Sequence, residues 1–245
     1  MVNPLTACLI TMLVCMGCAR SDQTASADSG SAPDDSASTA PSVTQQDASW
    51  RPLFDGQTTT GWREFRKPAI RDGWRVVDGA LTRVAAGGDI VTTDQFGNFE
   101  LSLEWKVAPG GNSGIFFHVS EDGQNVWESG PEMQILDDQK HADGKSRLTS
   151  AGANYALHPS PAGIAKPAGE WNAARLLVNG NHVEHWLNGT KVVEYELGSP
   201  DWEQKVRASK FASLPRYGRV PSGHIALQDH GDWVAFRDIK IRVLP

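Results

Sequence analysis

The sequence predicts an all-β fold, a two-sheet antiparallel sandwich of the jelly-roll kind. Three observations predict it. From Trp50 onward, short runs of alternating apolar and polar residues are separated by turn residues. Long amphipathic helical windows are scarce, and some 195 residues pass without an internal repeat.

The first 48 residues stand apart from this pattern. "MVNPLTACLITMLVCMGCARS" holds an apolar stretch from Leu5 to Met16 that is too short to span a bilayer, followed by small residues and a cysteine. It reads as an export signal over residues 1–17. Gly17-Cys18 resembles a bacterial lipoprotein cleavage site, which would make Cys18 the acylated first residue of the mature chain and a lipid the sole link to a membrane. Cys8, Cys15 and Cys18 are the only cysteines, so thiolate catalysis, zinc-thiolate sites and disulfides are excluded from the rest of the chain. Residues 18–48 are Ser, Ala, Thr, Asp, Gln and Pro, a composition that cannot offset its ordering entropy and predicts a flexible tether. One Arg and five Asp in it account for four of the six formal negative charges. The remaining domain, 49–245, is nearly neutral and carries no basic stripe for nucleic acid.

Within that domain the elements follow in order. "WRVVDGALTRV" is a hairpin turning at Asp78-Gly79. "FELSLEWKV" puts Leu101, Leu103, Trp105 and Val107 on one face of a strand and Glu100, Ser102, Glu104 and Lys106 on the other. In "GNSGIFFHV", Ile115, Phe117 and Val119 are expected inward, with Phe116 and His118 opposite. "ARLLVNGNHVEHWLNGTKVVEYEL" predicts a three-strand meander turning at Asn179-Gly180 and Asn188-Gly189. A short helix is expected from Trp202 to Lys210, and "VAFRDIKIRV" is a strand with a bulge near Asp238. Residues 138–170 show few strand signals, and a loop of that length is usually functional.

The chemistry-bearing candidates lie on these strands. In "GPEMQILDD", Glu132 and Gln134 share a strand face, and a bulge would bring Asp137 round to join them. The spacing resembles the Glu-x-Asp-x-x-Glu motif of concanavalin-like glucanases, yet Gln at the middle position departs from the paired carboxylates of direct glycoside hydrolysis. His182 and His185 fall on opposite faces of one strand and cannot share a metal without a bulge.

"LFDGQTTTGW", "GNSGIFFHV", "GPEMQILDD", "TSAGANY", "KPAGEWNAARLLVNGNHVEHWLNG" and "GHIALQDHGDWVAFRDIKI" together resemble the 3-keto-disaccharide hydrolase domain over about residues 50–244. The resemblance implies a concanavalin-like jelly roll, export, and cleavage of glycosides already oxidised to a ketone at C3. A C3 ketone acidifies C2–H, so the route needs a base near C2, a positive or hydrogen-bonding group at the enolate oxygen, and an acid for the leaving oxygen. On that chemistry, His230 or Glu132 is the expected base, with Asp229 orienting or supporting the imidazole. Either Lys210, or a calcium or manganese ion held by Glu132, Asp137 and a histidine, would stabilise the enolate. Asn112, His118, Trp127 and Gln134 are candidate substrate contacts. So are Tyr155, His185, Gln228 and Asp229. Without a nicotinamide motif in the chain, a separate sugar 3-dehydrogenase would have to supply the ketone. The competing reading is a non-catalytic carbohydrate-binding module, because jelly rolls often bind sugars without chemistry.

Overall fold

The computed structural model describes residues 49–245. The export signal, the tether and Cys18 lie outside the described residues.

Two antiparallel sheets form the sandwich. Strands β1 (Arg51–Pro52), β3 (Trp74–Val77), β4 (Ala80–Arg83), β6 (Phe99–Val107), β9 (Asn172–Asn179), β10 (His182–Leu187), β11 (Thr190–Glu196) and β13 (Val234–Val243) make the larger sheet, in the order β11-β10-β9-β6-β13-β4-β3, with β1 added against β13. The smaller sheet runs β2 (Trp62–Glu64), β5 (Ile90–Thr92), β12 (His224–Leu227), β7 (Asn112–Val119), β8 (Glu132–Leu136). The core fills the space between them. Leu101, Leu103, Trp105, Leu176, Phe236 and Ile241 enter from the larger sheet, and Ile90, Ile115, Phe117, Met133, Ile135 and Ile225 from the smaller. Each comes from the apolar half of an alternating strand, so the pattern in sequence is the two-layer architecture.

Local chemistry sets the turns. Asp78 and Gly79 both take positive φ, 50° and 75°, the backbone a tight two-residue hairpin requires. Asn188-Gly189 does the same between β10 and β11. Between β9 and β10 the turn falls one residue later than expected: Asn179 pairs with His182, leaving Gly180-Asn181 as the loop. The bulge in β13 is present, with Asp238 at φ 52° and a register shift between Arg237 and Lys240. The helix α1 spans Pro200–Arg207, capped by Ser199, whose hydroxyl accepts from the Trp202 N–H; it stops short of Lys210.

One face assignment is corrected. His118 adopts a left-handed backbone (φ 52°) where β7 and β12 shift register, and this turns Val119 to the outer face, where it packs with Val91, Phe116, Val126 and Ala226. The segment 138–170 forms no strand, but its middle lies along the edge of β8. Gln134 N–H donates to Ala153, Gly152 N–H to Gln134 and Tyr155 N–H to Glu132. That edge is therefore covered rather than open.

Candidate active site

The outer face of the smaller sheet carries a cavity of about 560 Å³. Its floor is a row of side chains running across the strands: Asp89 at the start of β5, Gln228 just after β12, Asn112 on β7, and Glu132 with Gln134 on β8. The walls are added by loops. Asn125 and Trp127 come from the short 3-10 turn Val126–Glu128, Tyr155 from the long segment, Lys210 and Phe211 from the loop after α1, and His230 from the turn after β12.

Glu132 is the centre of the floor. The residue is only 7% exposed, and no group among the described residues hydrogen-bonds its carboxyl. Its side chain leans over the neighbouring strand because Gly114 is there: a Cβ at that position would stand 2.2 Å from Oε1. Burial pushes the Glu132 carboxyl up to about 8, against the pull of the Lys210 charge, and the carboxylates of Asp89 and Asp143 push the same way as burial. Glu132 is thus largely protonated at neutral pH.

Asp89 is the second carboxyl of the cavity, and burial raises it to about 6. Its Oδ1 accepts the Asp229 N–H at 2.9 Å, which works in the opposite direction. Asp89 is therefore mostly ionised at neutral pH. Three strand steps separate β5 from β8, about 14 Å between backbones, and the lean of Glu132 over Gly114 shortens the gap by about one step. The two carboxyls face each other across a space rather than sharing a proton.

Three amide oxygens on the floor, Asn112 Oδ1, Gln134 Oε1 and Gln228 Oε1, are buried and have no hydrogen-bond partner among the described residues. Gln134 is oriented by its Nε2, which donates to Thr149 O at 3.3 Å. Buried acceptors without donors are costly, and the hydroxyls of a polyol would satisfy them. Lys210 Nζ lies over the Tyr155 ring at 4.2 Å. Phe211 stacks on Tyr217 at 4.0 Å, and that ring continues into a column of Trp202, Tyr195 and His158. The loop bearing Lys210 is thereby fixed to the core. Burial, together with the nearby Asp143 charge, pushes the Tyr155 hydroxyl up to about 12, so it stays a donor; it donates to Asp143 Oδ2 at 3.1 Å.

Of the residues expected from sequence, Glu132, Lys210, His230, Asn112, Trp127, Gln134, Tyr155, Gln228 and Asp229 line this cavity. Asp137 does not. No bulge interrupts the β7–β8 register, so Asp137 falls beyond the strand end, where its carboxylate accepts from the N–H groups of Gly110 and Gln139. His118 lies at the far end of β7, about 20 Å along the strand from Asn112, with Nε2 against Gly97 O at 2.9 Å. Burial lowers its pKa. His185 is in the larger sheet, fully buried, its ring between Gly152 O and the Tyr195 hydroxyl. Burial pushes it down to about 4 and keeps it neutral. The metal ligand set of Glu132, Asp137 and a histidine therefore does not assemble.

Asp229 is also corrected. Its carboxylate turns away from His230 and binds Arg83 Nε at 2.7 Å and the N–H groups of Gly87, Gly88 and Gly231. Burial opposes its charge, but these donors outweigh it and lower its pKa. His230 is exposed at the rim, edge-on to His141 with ring centroids 6.4 Å apart. Asp89, Asn125 and Phe211 were not anticipated. Asp89 follows "AAGG" directly, where an acidic residue is indistinguishable from an ordinary turn polar group.

The sequence pattern of 3-keto-alpha-glucoside-1,2-lyase-like domains matches residues 49–242. A 3-keto-disaccharide hydrolase of Bacteroides thetaiotaomicron is 37% identical over 225 residues, covering 78% of this chain and 77% of that protein. A crystal structure of a putative glycosyl hydrolase from Parabacteroides distasonis superposes with a TM-score of 0.74 at 35% identity, over 80% of this chain and 94% of that one. A second from the same organism gives 0.64 at 33%, over 80% and 100%.

Proposed function

The chain belongs to the family of 3-keto-alpha-glucoside-1,2-lyase-like domains, and from that premise we propose that it cleaves 3-keto-glycosides by removing the C2 proton, eliminating the group at C1 and hydrating the product. The observation that carries this reading is the pair of carboxyls facing one cavity, with Glu132 raised to about 8 and Asp89 to about 6. At neutral pH one is an acid and the other a base.

Asp89 takes the proton from C2, and the C–H electrons form the enolate across C2 and C3. Lys210 sets its positive charge toward the enolate oxygen. As the ketone re-forms, the C1–C2 double bond closes and the C1–O bond breaks. Glu132 gives its proton to the departing oxygen. Water then adds its oxygen to C1 and a proton returns to C2, so the sum is hydrolysis. The amide oxygens of Asn112, Gln134 and Gln228 receive the sugar hydroxyls, and Trp127 flanks the ring. Direct hydrolysis of an unoxidised glycoside is disfavoured by Gln134 at the position where a glucanase carries a carboxylate. The reading also carries export, acylation at Cys18, and a separate dehydrogenase that makes the ketone.

The test is release of a chromogenic aglycone from a 3-keto-glucoside and from its unoxidised counterpart. Release from the keto substrate alone is the expected result. Sugar binding without release from either would make the protein a carbohydrate-binding module.

A further inference from the structure

An exposed lysine is a poor electrostatic catalyst unless something holds it. Its ammonium rides on a flexible four-carbon stem, whereas stabilising a charge as it develops requires a group already in place. Lys210 is such a residue. The aromatic column behind Phe211 fixes its loop, but its side chain is exposed and enters no ion pair among the described residues. Two rings hold the ammonium instead: Nζ stands 4.2 Å from the centre of the Tyr155 ring and 5.2 Å from that of Phe211. Tyr155 is itself fixed at both ends. Its backbone N–H donates to Glu132 O at 3.1 Å, which ties it to the strand that carries the proposed acid, and its hydroxyl donates to Asp143 Oδ2 at 3.1 Å. Asp143 is locked in turn within the 3-10 turn Ala142–Lys145, where its N–H donates to His141 Nδ1 at 3.1 Å and its carbonyl accepts the Thr149 hydroxyl at 2.7 Å.

We infer that Tyr155 and Asp143 are positioning residues, which together hold the Lys210 ammonium at the enolate oxygen, and that neither is a contact for the sugar. The inference rests on the proposed cleavage of 3-keto-glycosides and adds what places the one lysine that lines the cavity. Commitment of the tyrosine is the first reason. Its O–H is engaged by Asp143 and its ring face by Lys210, so the donor and the face that a sugar would use are both taken. The choice of a ring is the second. A carboxylate beside Lys210 would neutralise the ammonium and occupy its N–H groups, whereas a ring face attracts the charge and leaves those donors free for an oxygen of the substrate. Electronics is the third. A phenol that donates to a carboxylate gains electron density in its ring, which strengthens the pull on an ammonium above it. Asp143 therefore acts on Lys210 through Tyr155, although it does not line the cavity.

The experiment uses the full chain and a 3-keto-glucoside with a chromogenic aglycone. Tyr155→Leu, which removes the ring, should lower kcat by about tenfold, some 1.4 kcal/mol, with KM changed by less than about twofold. Tyr155→Phe keeps the ring and should recover most of that loss, and Asp143→Asn should resemble it. In a Lys210→Met background Tyr155→Leu should cost nothing further, because a residue that acts through another is not additive with it. A second loss of about tenfold there, or a loss confined to KM, would overturn the inference and make Tyr155 a sugar contact. Lysine methyl resonances, after reductive methylation with carbon-13, read the same contact without chemistry. The Lys210 signal, identified by its absence in Lys210→Arg, should be shifted upfield by the ring current of Tyr155, and should return to the position of exposed lysines in Tyr155→Leu but not in Tyr155→Phe. An unshifted Lys210 signal in the wild type overturns the inference whatever the substrate does. A shifted signal in a protein that cleaves no keto-glucoside supports the hold on Lys210 and counts against the proposed reaction alone.

Discussion

Two corners of the smaller sheet each bury a carboxyl group, and they treat it in opposite ways. At Asp229 the carboxylate receives Arg83 and three backbone N–H groups, and its pKa falls. At Glu132 burial is met by no hydrogen bond among the described residues, and the pKa rises to about 8. The saturated group is architecture: it ties the Gly87-Gly88 loop to the turn after β12, and its own N–H positions Asp89. The unsatisfied group is held in an energetically unfavourable setting that folding alone does not explain, which is the signature of a reactive site.

The contrast is sharpest in paired substitutions. Glu132→Gln should lower turnover of a 3-keto-glucoside by about 10²- to 10⁴-fold, the usual worth of a general acid, while stabilising the protein. The folded chain keeps the Glu132 proton up to about pH 8, whereas the unfolded chain loses it near 4.5. Ionisation therefore costs folding free energy that grows as pH rises through that window, and the gain from Gln grows with it. Thermal melts at pH 5 and pH 8 read the difference. Asp229→Asn should do the reverse, losing about 3 kcal/mol by leaving Arg83 unpaired. The stability that Asp229 provides is present above the ordinary carboxylate pKa and fades as pH falls through its lowered folded value. A Glu132→Gln protein that is less stable than wild type at pH 8 would break the comparison.

Gly114→Ala comes next. The added methyl would meet Glu132 Oε1, so the carboxyl must swing away, and turnover should drop by roughly 10²-fold with little change in the unfolding midpoint. Steady-state kinetics beside a melt checks both halves. His230→Ala should be the mildest change, under about tenfold and mostly in KM, because the ring is exposed at the rim and not backed by Asp229. A loss as large as that of Glu132→Gln would move the acid–base role to the histidine.

Much of this was legible in the chain. Alternation in "FELSLEWKV" specifies a strand and its buried face, and Asp78-Gly79 a hairpin, because those signals are local. Glu132 and Gln134 were readable as one face for the same reason. What could not be read is what depends on neighbours far away in sequence. Gly114 makes room for a side chain 18 positions on, a relation only the β7–β8 register creates. Asp89 matters because β5 lies beside β12, bringing Asp229 N–H to it. Asp229 and His230, adjacent in sequence, diverge because Gly87, Gly88 and Arg83 offer the carboxylate better partners than an exposed imidazole.

The central claim is that two carboxyls of opposite protonation work across one cavity, and the pH dependence of kcat/KM on a 3-keto-glucoside tests it most directly. The account predicts a bell, rising as Asp89 ionises near 6 and falling as Glu132 loses its proton near 8; in Glu132→Gln the residual activity should keep the acidic limb and lose the alkaline one. Activity that instead climbs through pH 8 and levels off would make Glu132 the base and contradict the assignment.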